Sequence, residues 1–227
     1  MADEFGTSQR NKILEMPPQG GAKRDRDLAQ FVAYWTSMRR GNDVPLRTEI
    51  DPRGIEALLG NAFIAEKIAP GLARLRIAGA HLADVMGMEV RGMPLSALIE
   101  PEDRQQLADA IVELFEGPAQ IRIELASPGG IRRAPMTATL LILPLRSDLG
   151  DISRALGCFV SNGSIGATPR RFRVVSSQVE RIDLTAEKKA KGFAEAQAPL
   201  AAKKPDAQPQ PPRSASERSY LRLVHSE

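Results

Sequence analysis

Residues Asn61–Gly87 read NAFIAEKIAPGLARLRIAGAHLADVMG, and the fold is decided here. Pro70-Gly71 is a strong turn signal between two short apolar runs, Asn61–Ile68 and Leu72–Ala78. Such a pattern predicts a β-hairpin. In the second run Leu75 and Ile77 alternate with Arg74 and Arg76, so one face is expected in a core and the other in water. Ala80–Met86 then changes to a helical spacing, and Gly87 supplies the stop.

Working outward toward the C-terminus, Pro94–Ile99 predicts another short helix. Glu100-Pro101-Glu102-Asp103 opens a longer one to Phe115, with Gly117 beyond its end. The acidic residues in its first turn read as capping and dipole complements rather than a metal cluster. Leu107, Ile111 and Leu114 share its inner face. Three strands follow, Ala119–Ala126, Arg133–Leu145 and Leu156–Ser161. Toward the N-terminus, residues 26–40 read as a helix with Leu28, Phe31, Trp35 and Met38 on one stripe. A second short helix starts at Asp51-Pro52, an N-cap followed by proline. The pattern predicts an α+β fold: a five-stranded antiparallel sheet with short helices on one face and an N-terminal helix.

Composition narrows the function. Aromatic residues are 4% of the 227-residue chain, which argues against an aromatic nucleic-acid platform. Cys158 is the single cysteine, which excludes internal disulfides and multi-cysteine zinc sites. No nucleophile elbow, phosphate loop or zinc-protease motif occurs, so no catalytic residue and no metal site is assigned. The net charge of +3 falls in residues 184–227, which leaves residues 1–183 neutral. A neutral body argues against a nucleic-acid surface. No apolar run is long enough for a membrane span, and the N-terminus lacks a secretory core, so a cytoplasmic location is expected.

The expected organisation is a flexible segment over 1–24, a domain over 25–168 and an exit segment over 169–183. A disordered basic tail rich in Ala, Pro and Lys occupies 184–227. The run Arg170-Arg171-Phe172-Arg173 reads as a solvated basic exit. The tail ends in an apolar motif, Tyr220, Leu221, Leu223 and Val224.

The order of elements resembles a PAS domain. More narrowly, the chain is similar to a PAS-like family common in alphaproteobacteria. The matching residues are Tyr34-Trp35, Arg39, Ile50-Asp51-Pro52, Leu75-Arg76-Ile77-Ala78-Gly79, Gly87–Gly92, Leu143-Pro144-Leu145 and Leu156-Gly157. The chain departs from that family at Gly79-Ala80-His81, where Gly-Thr and a basic residue are expected. The resemblance implies a sensor or interaction module without established catalytic residues. Domains of this kind hold small molecules between sheet and helices, or pair through an N-terminal helix.

A ligand pocket is therefore expected among Leu75, Ile77, Met86, Leu98, Leu107, Ile111, Ile123, Leu125, Leu141 and Phe159. The alternative is a filled core at the same residues. The stripe Leu28, Phe31, Trp35 and Met38 is expected as a dimer or partner interface, as packing on the domain's own sheet, or as both at once. His81 reads as a helix-start residue rather than a haem ligand, and Cys158 as a buried, inert thiol. The cofactor is left unassigned. The expected function is a non-enzymatic cytoplasmic signalling adaptor that binds a small ligand or a protein, with a homodimer and a separate signalling protein as partners. Two other readings stay open: an interaction module that works through the C-terminal motif, and a nucleic-acid-associated regulator that uses the basic tail.

Overall fold

The structure, a computed structural model, describes residues 21–184. The N-terminal lead-in, the tail and its motif at Tyr220, Leu221, Leu223 and Val224 lie outside the described residues. Helix α1 spans Gly21–Ser37. A 3-10 helix follows at Pro52–Leu58, and the Asp51 carboxylate caps it by accepting from Arg53 N at 3.0 Å. Strands β1 (Ala62–Ala69) and β2 (Leu72–Ala78) form the expected hairpin. Gly71 adopts φ +70 at the turn, a left-handed geometry that glycine enters without a Cβ penalty. Helix α2 (Ala80–Met86) stops at Gly87, whose left-handed C-cap has φ 67. Helix α3 (Arg104–Glu116) leads to strands β3 (Ala119–Ser127), β4 (Met136–Arg146) and β5 (Ile152–Asn162).

A sixth strand, β6 (Arg173–Arg181), corrects the expectation of five. The sheet order is β2-β1-β5-β4-β3-β6, and every pairing is antiparallel. Strand β6 lies at an edge and is mostly exposed, so its sequence carries little apolar alternation. It is defined by its ladder to β3, in which Ile121 faces Val179. The Asp103 carboxylate fastens its start by accepting from Val174 N at 2.9 Å. Asp103 thus ties β6 to the helix side, and its side chain makes no cap bond to α3.

Each face of the sheet carries its own apolar layer. The helix-side layer joins α2, α3 and the 3-10 helix Leu95–Leu98 to Phe63, Leu75, Ile121, Ile123, Leu140, Ile142 and Phe159. The opposite layer joins α1 and the Pro52–Leu58 segment to Ile64, Leu141, Leu143, Leu156 and Cys158. Strict alternation along β4 assigns Leu140 and Ile142 to one layer and Leu141 and Leu143 to the other.

Glu66 on β1 draws Arg74 and Arg76 from β2 and Arg154 from β5, which fastens three neighbouring strands. Hydrogen bonds from Arg76 and Arg154 hold its carboxyl at about 2. The folded value is depressed, so this stabilisation is complete above the ordinary carboxylate range and disappears as pH falls through about 2. Glu66→Gln is expected to lose about 1–2 kcal/mol at neutral pH, because solvent screens part of the network. Urea titrations across pH 2–7 check this: the gap between the two proteins closes at the acid end. A gap independent of pH would show that the charge contributes nothing.

Candidate functional site

Helix α1 is held to the sheet by residues spread widely along the chain. Leu28, Phe31 and Trp35 are at most 2% exposed, and Met38 packs at the margin of the same layer. The Trp35 indole Nε1 donates to the Pro144 carbonyl on β4 at 3.0 Å. The Tyr34 hydroxyl donates to Asp51 O and accepts from Asp51 N, each at 2.8 Å. Burial, the larger effect, pushes its pKa up. A Cβ on Gly54 would lie 2.0 Å from the Tyr34 ring, so the close approach requires glycine. Arg39 stacks over the Trp35 ring at 5.4 Å and donates to the carbonyls of Asn42 and Asp43. Arg146 on β4 binds the Asp43 carboxylate at 2.8–2.9 Å and lowers its pKa.

The stripe Leu28, Phe31, Trp35 and Met38 thus meets the chain's own sheet. Of the two uses open to the stripe, packing on the domain's own sheet is the one its burial shows. The outer face of α1, with Lys23, Arg26, Ala29 and Gln30 exposed, is the side left to solvent.

Beneath α1 lies Cys158, free and buried. Burial, with Asp27 adding a smaller repulsion, pushes its thiol up to about 12. At neutral pH it is a protonated, apolar side chain.

On the helix side the structure brings together Leu75, Met86, Leu98, Leu107, Ile111, Ile123, Leu125 and Phe159, none more than 3% exposed. It does not bring Ile77 or Leu141 to them. Ile77 is 53% exposed, because the β1–β2 register skips Arg76 between Leu75 and Ile77. That bulge reverses which face the following residue occupies. Ile77 instead borders a cleft of about 210 Å³ with Ile50, Ile55, Leu59 and Ile64. Leu141 belongs to the α1 layer by the alternation of β4.

His81 opens α2, and its Nε2 lies 2.8 Å from Ser161 Oγ. Its ring sits 5.9 Å from the Phe159 ring, and burial lowers its pKa. A second cleft, about 320 Å³, lies outside α2 between Met86, Met88, Met93, Pro94, Pro169 and Arg171.

The expected solvated exit is corrected at Arg170, which is 0% exposed, and at Phe172, also 0% exposed. Arg170 N donates to Val85 O and Phe172 N to Leu98 O, each at 2.9 Å. Stitched in this way, an extended segment turns alternate side chains inward. The local density of charge carries no sign of this.

A family model described as PAS domain matches residues 23–160, and the chain belongs to that family. The match takes in most of α1 and the strands β1–β5, and it ends before β6. Among solved structures the chain is similar to a light-oxygen-voltage domain studied with a flavin analogue. That pair shares 20% identity over 48% of this chain and 84% of the other, with a TM-score of 0.37. It is also similar to the light state of the blue-light photoreceptor Aureochrome1 LOV, at 13% identity over 49% and 88% of the two chains and a TM-score of 0.34. A third is an RNA-binding light-oxygen-voltage receptor, at 17% identity over 51% and 35% and a TM-score of 0.35. No curated protein matches.

Proposed function

We propose that this chain is a non-enzymatic sensor and interaction module that signals by changing how α1 docks on its sheet. A sensory or signalling role fits a PAS domain. One observation carries the rest: α1 and the Pro52–Leu58 segment together cover an apolar sheet face, and α1 is fastened there by side-chain ties, Trp35 to the Pro144 carbonyl, Tyr34 to Asp51, Asp25 to Arg122 and Arg24 to Glu124. A docked and an undocked α1 differ in how much of Leu141, Leu143 and Leu156 meets water. A small ligand held on the helix side, or a protein that binds the uncovered face, shifts that balance by its differential affinity. In this reading the chain acts as a cytoplasmic adaptor on a separate protein.

Native mass spectrometry of the purified full-length protein, followed by the denatured sample, tests for a carried ligand. The expected result is a mass surplus lost on denaturation. Returning the released molecule to bare protein is then expected to change amide exchange over residues 21–37. Unchanged exchange in α1 would overturn the docking mechanism. A bare mass in both spectra would move the input from a small molecule to a protein partner.

A further inference from the structure

Arg170 places a guanidinium in the protein interior, on a segment bonded to α2 through Val85 O. Its Nη2 donates to the Ala134 carbonyl at 2.7 Å. The N–H groups on Nε and Nη1 are buried and have no partner among the described residues. Among the described residues Arg173 and Arg181, further along the same segment, each hold a carboxylate. Arg170 holds none. Burial pushes its pKa down, and Arg133 nearby pushes it the same way. A guanidinium nonetheless stays charged in a protein. A buried charge without a counter-ion is costly, and a buried donor without an acceptor adds to that cost.

Two short segments lie near this charge. One is the tight turn Gly130–Arg133, closed by Gly130 N to Arg133 O at 2.9 Å and Arg133 N to Gly130 O at 3.1 Å. Arg132 in that turn has φ 61, a strained setting for a side chain with a Cβ. The other is the segment before Arg170, with Gly163 and Gly166 at positive φ. The backbone bond joining the two, Ala167 N to Arg132 O, is long at 3.4 Å. Arg132 and Arg133 also lend the turn a positive potential, which favours an anion over a neutral molecule or a cation.

We propose that Arg170 anchors an oxyanion site, which takes the carboxylate or phosphate group of a small molecule. The group enters by displacing the turn Gly130–Arg133 and takes the Nη1–Nη2 edge of Arg170, where Nη1 is unpartnered; Nε, on the other edge, is left to water. Guanidinium suits both anions, because its fixed N–H groups match their paired oxygens. The site is independent of whether α1 moves, so it stands or falls separately from the docking mechanism.

The test is thermal melting of the full-length protein in sodium acetate and in sodium phosphate, each against sodium chloride at matched ionic strength. Wild type is expected to gain about 3 °C or more in one of them. A gain in acetate identifies a carboxylate, and a gain in phosphate alone identifies a phosphate. The Arg170→Met variant should melt in chloride at or above wild type and should lose the gain. Arg171→Met, an exposed neighbour, should keep it. Phosphate stabilises proteins generally, so the difference between wild type and Arg170→Met is the quantity read. Equal responses in the two proteins, or none in wild type, overturn the site and leave Arg170 paired with water only. If Arg170→Met does not fold, ³¹P line broadening of phosphate and ¹⁹F line broadening of fluoroacetate by wild type against Arg170→Lys decide. The lysine variant retains the charge without the fork and should bind at least about tenfold more weakly. Broadening that is equal in both, or absent from wild type, also overturns the proposal.

Discussion

Gly157→Ala is expected to remove about 3 kcal/mol of stability and to lower the melting temperature by about 6–12 °C. A Cβ at this position would lie 2.0, 2.4 and 2.6 Å from carbons of the Phe63 ring. Gly157 faces Phe63 on β1 and Ile142 on β4, so β5 is flanked on both sides and cannot shift away. The ring is 1% exposed and sits in the helix-side layer, so it cannot swing into water. Overpacking at a site with no free direction is relieved only by distortion. Gly87 differs in kind: a Cβ there would strike Thr168, an exposed side chain that can yield, and the cost that remains is the left-handed φ of 67. The double variant Gly157→Ala with Phe63→Leu should recover part of the loss, because the shorter side chain vacates the contested volume. Calorimetry of the three proteins decides the matter. A Gly157→Ala melt within about 2 °C of wild type would show that the ring relocates freely.

Gly157 and Phe63 also mark the boundary of what the amino-acid sequence makes legible. Leu156-Gly157, Tyr34-Trp35, Arg39, Asp51-Pro52 and Leu143-Pro144-Leu145 are family-like pieces, and nothing in their sequence positions says why they occur together. In three dimensions all but one serve a single task. Tyr34 bridges to Asp51, Trp35 bonds Pro144, Arg39 stacks on Trp35, and Leu143, Leu145 and Leu156 line the face that α1 covers. Gly157 alone points to the other layer, where it admits Phe63. The hairpin and the α3 stripe are legible because period and turn chemistry report burial directly. Ile77 and Leu141 escape a periodicity reading for different reasons. A bulge changes the face at Ile77, and no residue type announces a bulge. Strand β4 is apolar on both faces, so its run of leucines has no phase to read. Strand β6 carries the opposite problem, a ladder partner without an apolar face. Arg170 reads as solvated because a charge in a linear sequence has no way to reveal that neighbours such as Val85 and Leu98 hold its segment against the core.

Trp35→Ala is expected to uncover Cys158. In the folded protein the thiol is 0% exposed under α1, and its pKa near 12 leaves almost no thiolate at pH 8. Removing the indole deletes the largest side chain of the α1 stripe and strands the Pro144 carbonyl, a loss of about 3–5 kcal/mol. The helix-side layer contains no α1 residue, so the sheet retains a core of its own. The result should be an undocked α1 on a folded sheet rather than global unfolding. Once wet, the thiol returns toward its ordinary value of 9.0, a gain of about 10³ in thiolate. Labelling of this single cysteine by a disulfide reagent at pH 8 should therefore accelerate by about 10²–10³, while amide protection in β3 and β4 persists. Trp35→Phe separates the two contributions of the indole: it keeps the apolar bulk and loses only the bond to Pro144, so its labelling should remain close to wild type. The linkage runs the same way in wild type. A thiol whose folded pKa is raised stabilises the fold fully below pH 9, and that stabilisation drains away as pH rises through about 12. If Trp35→Ala labels as slowly as wild type with its helix signal intact, the other contacts of α1 suffice to hold it, and Trp35 is not the latch. If β3 and β4 lose protection together with α1, the two layers fold as one unit, and α1 cannot act as a separable output.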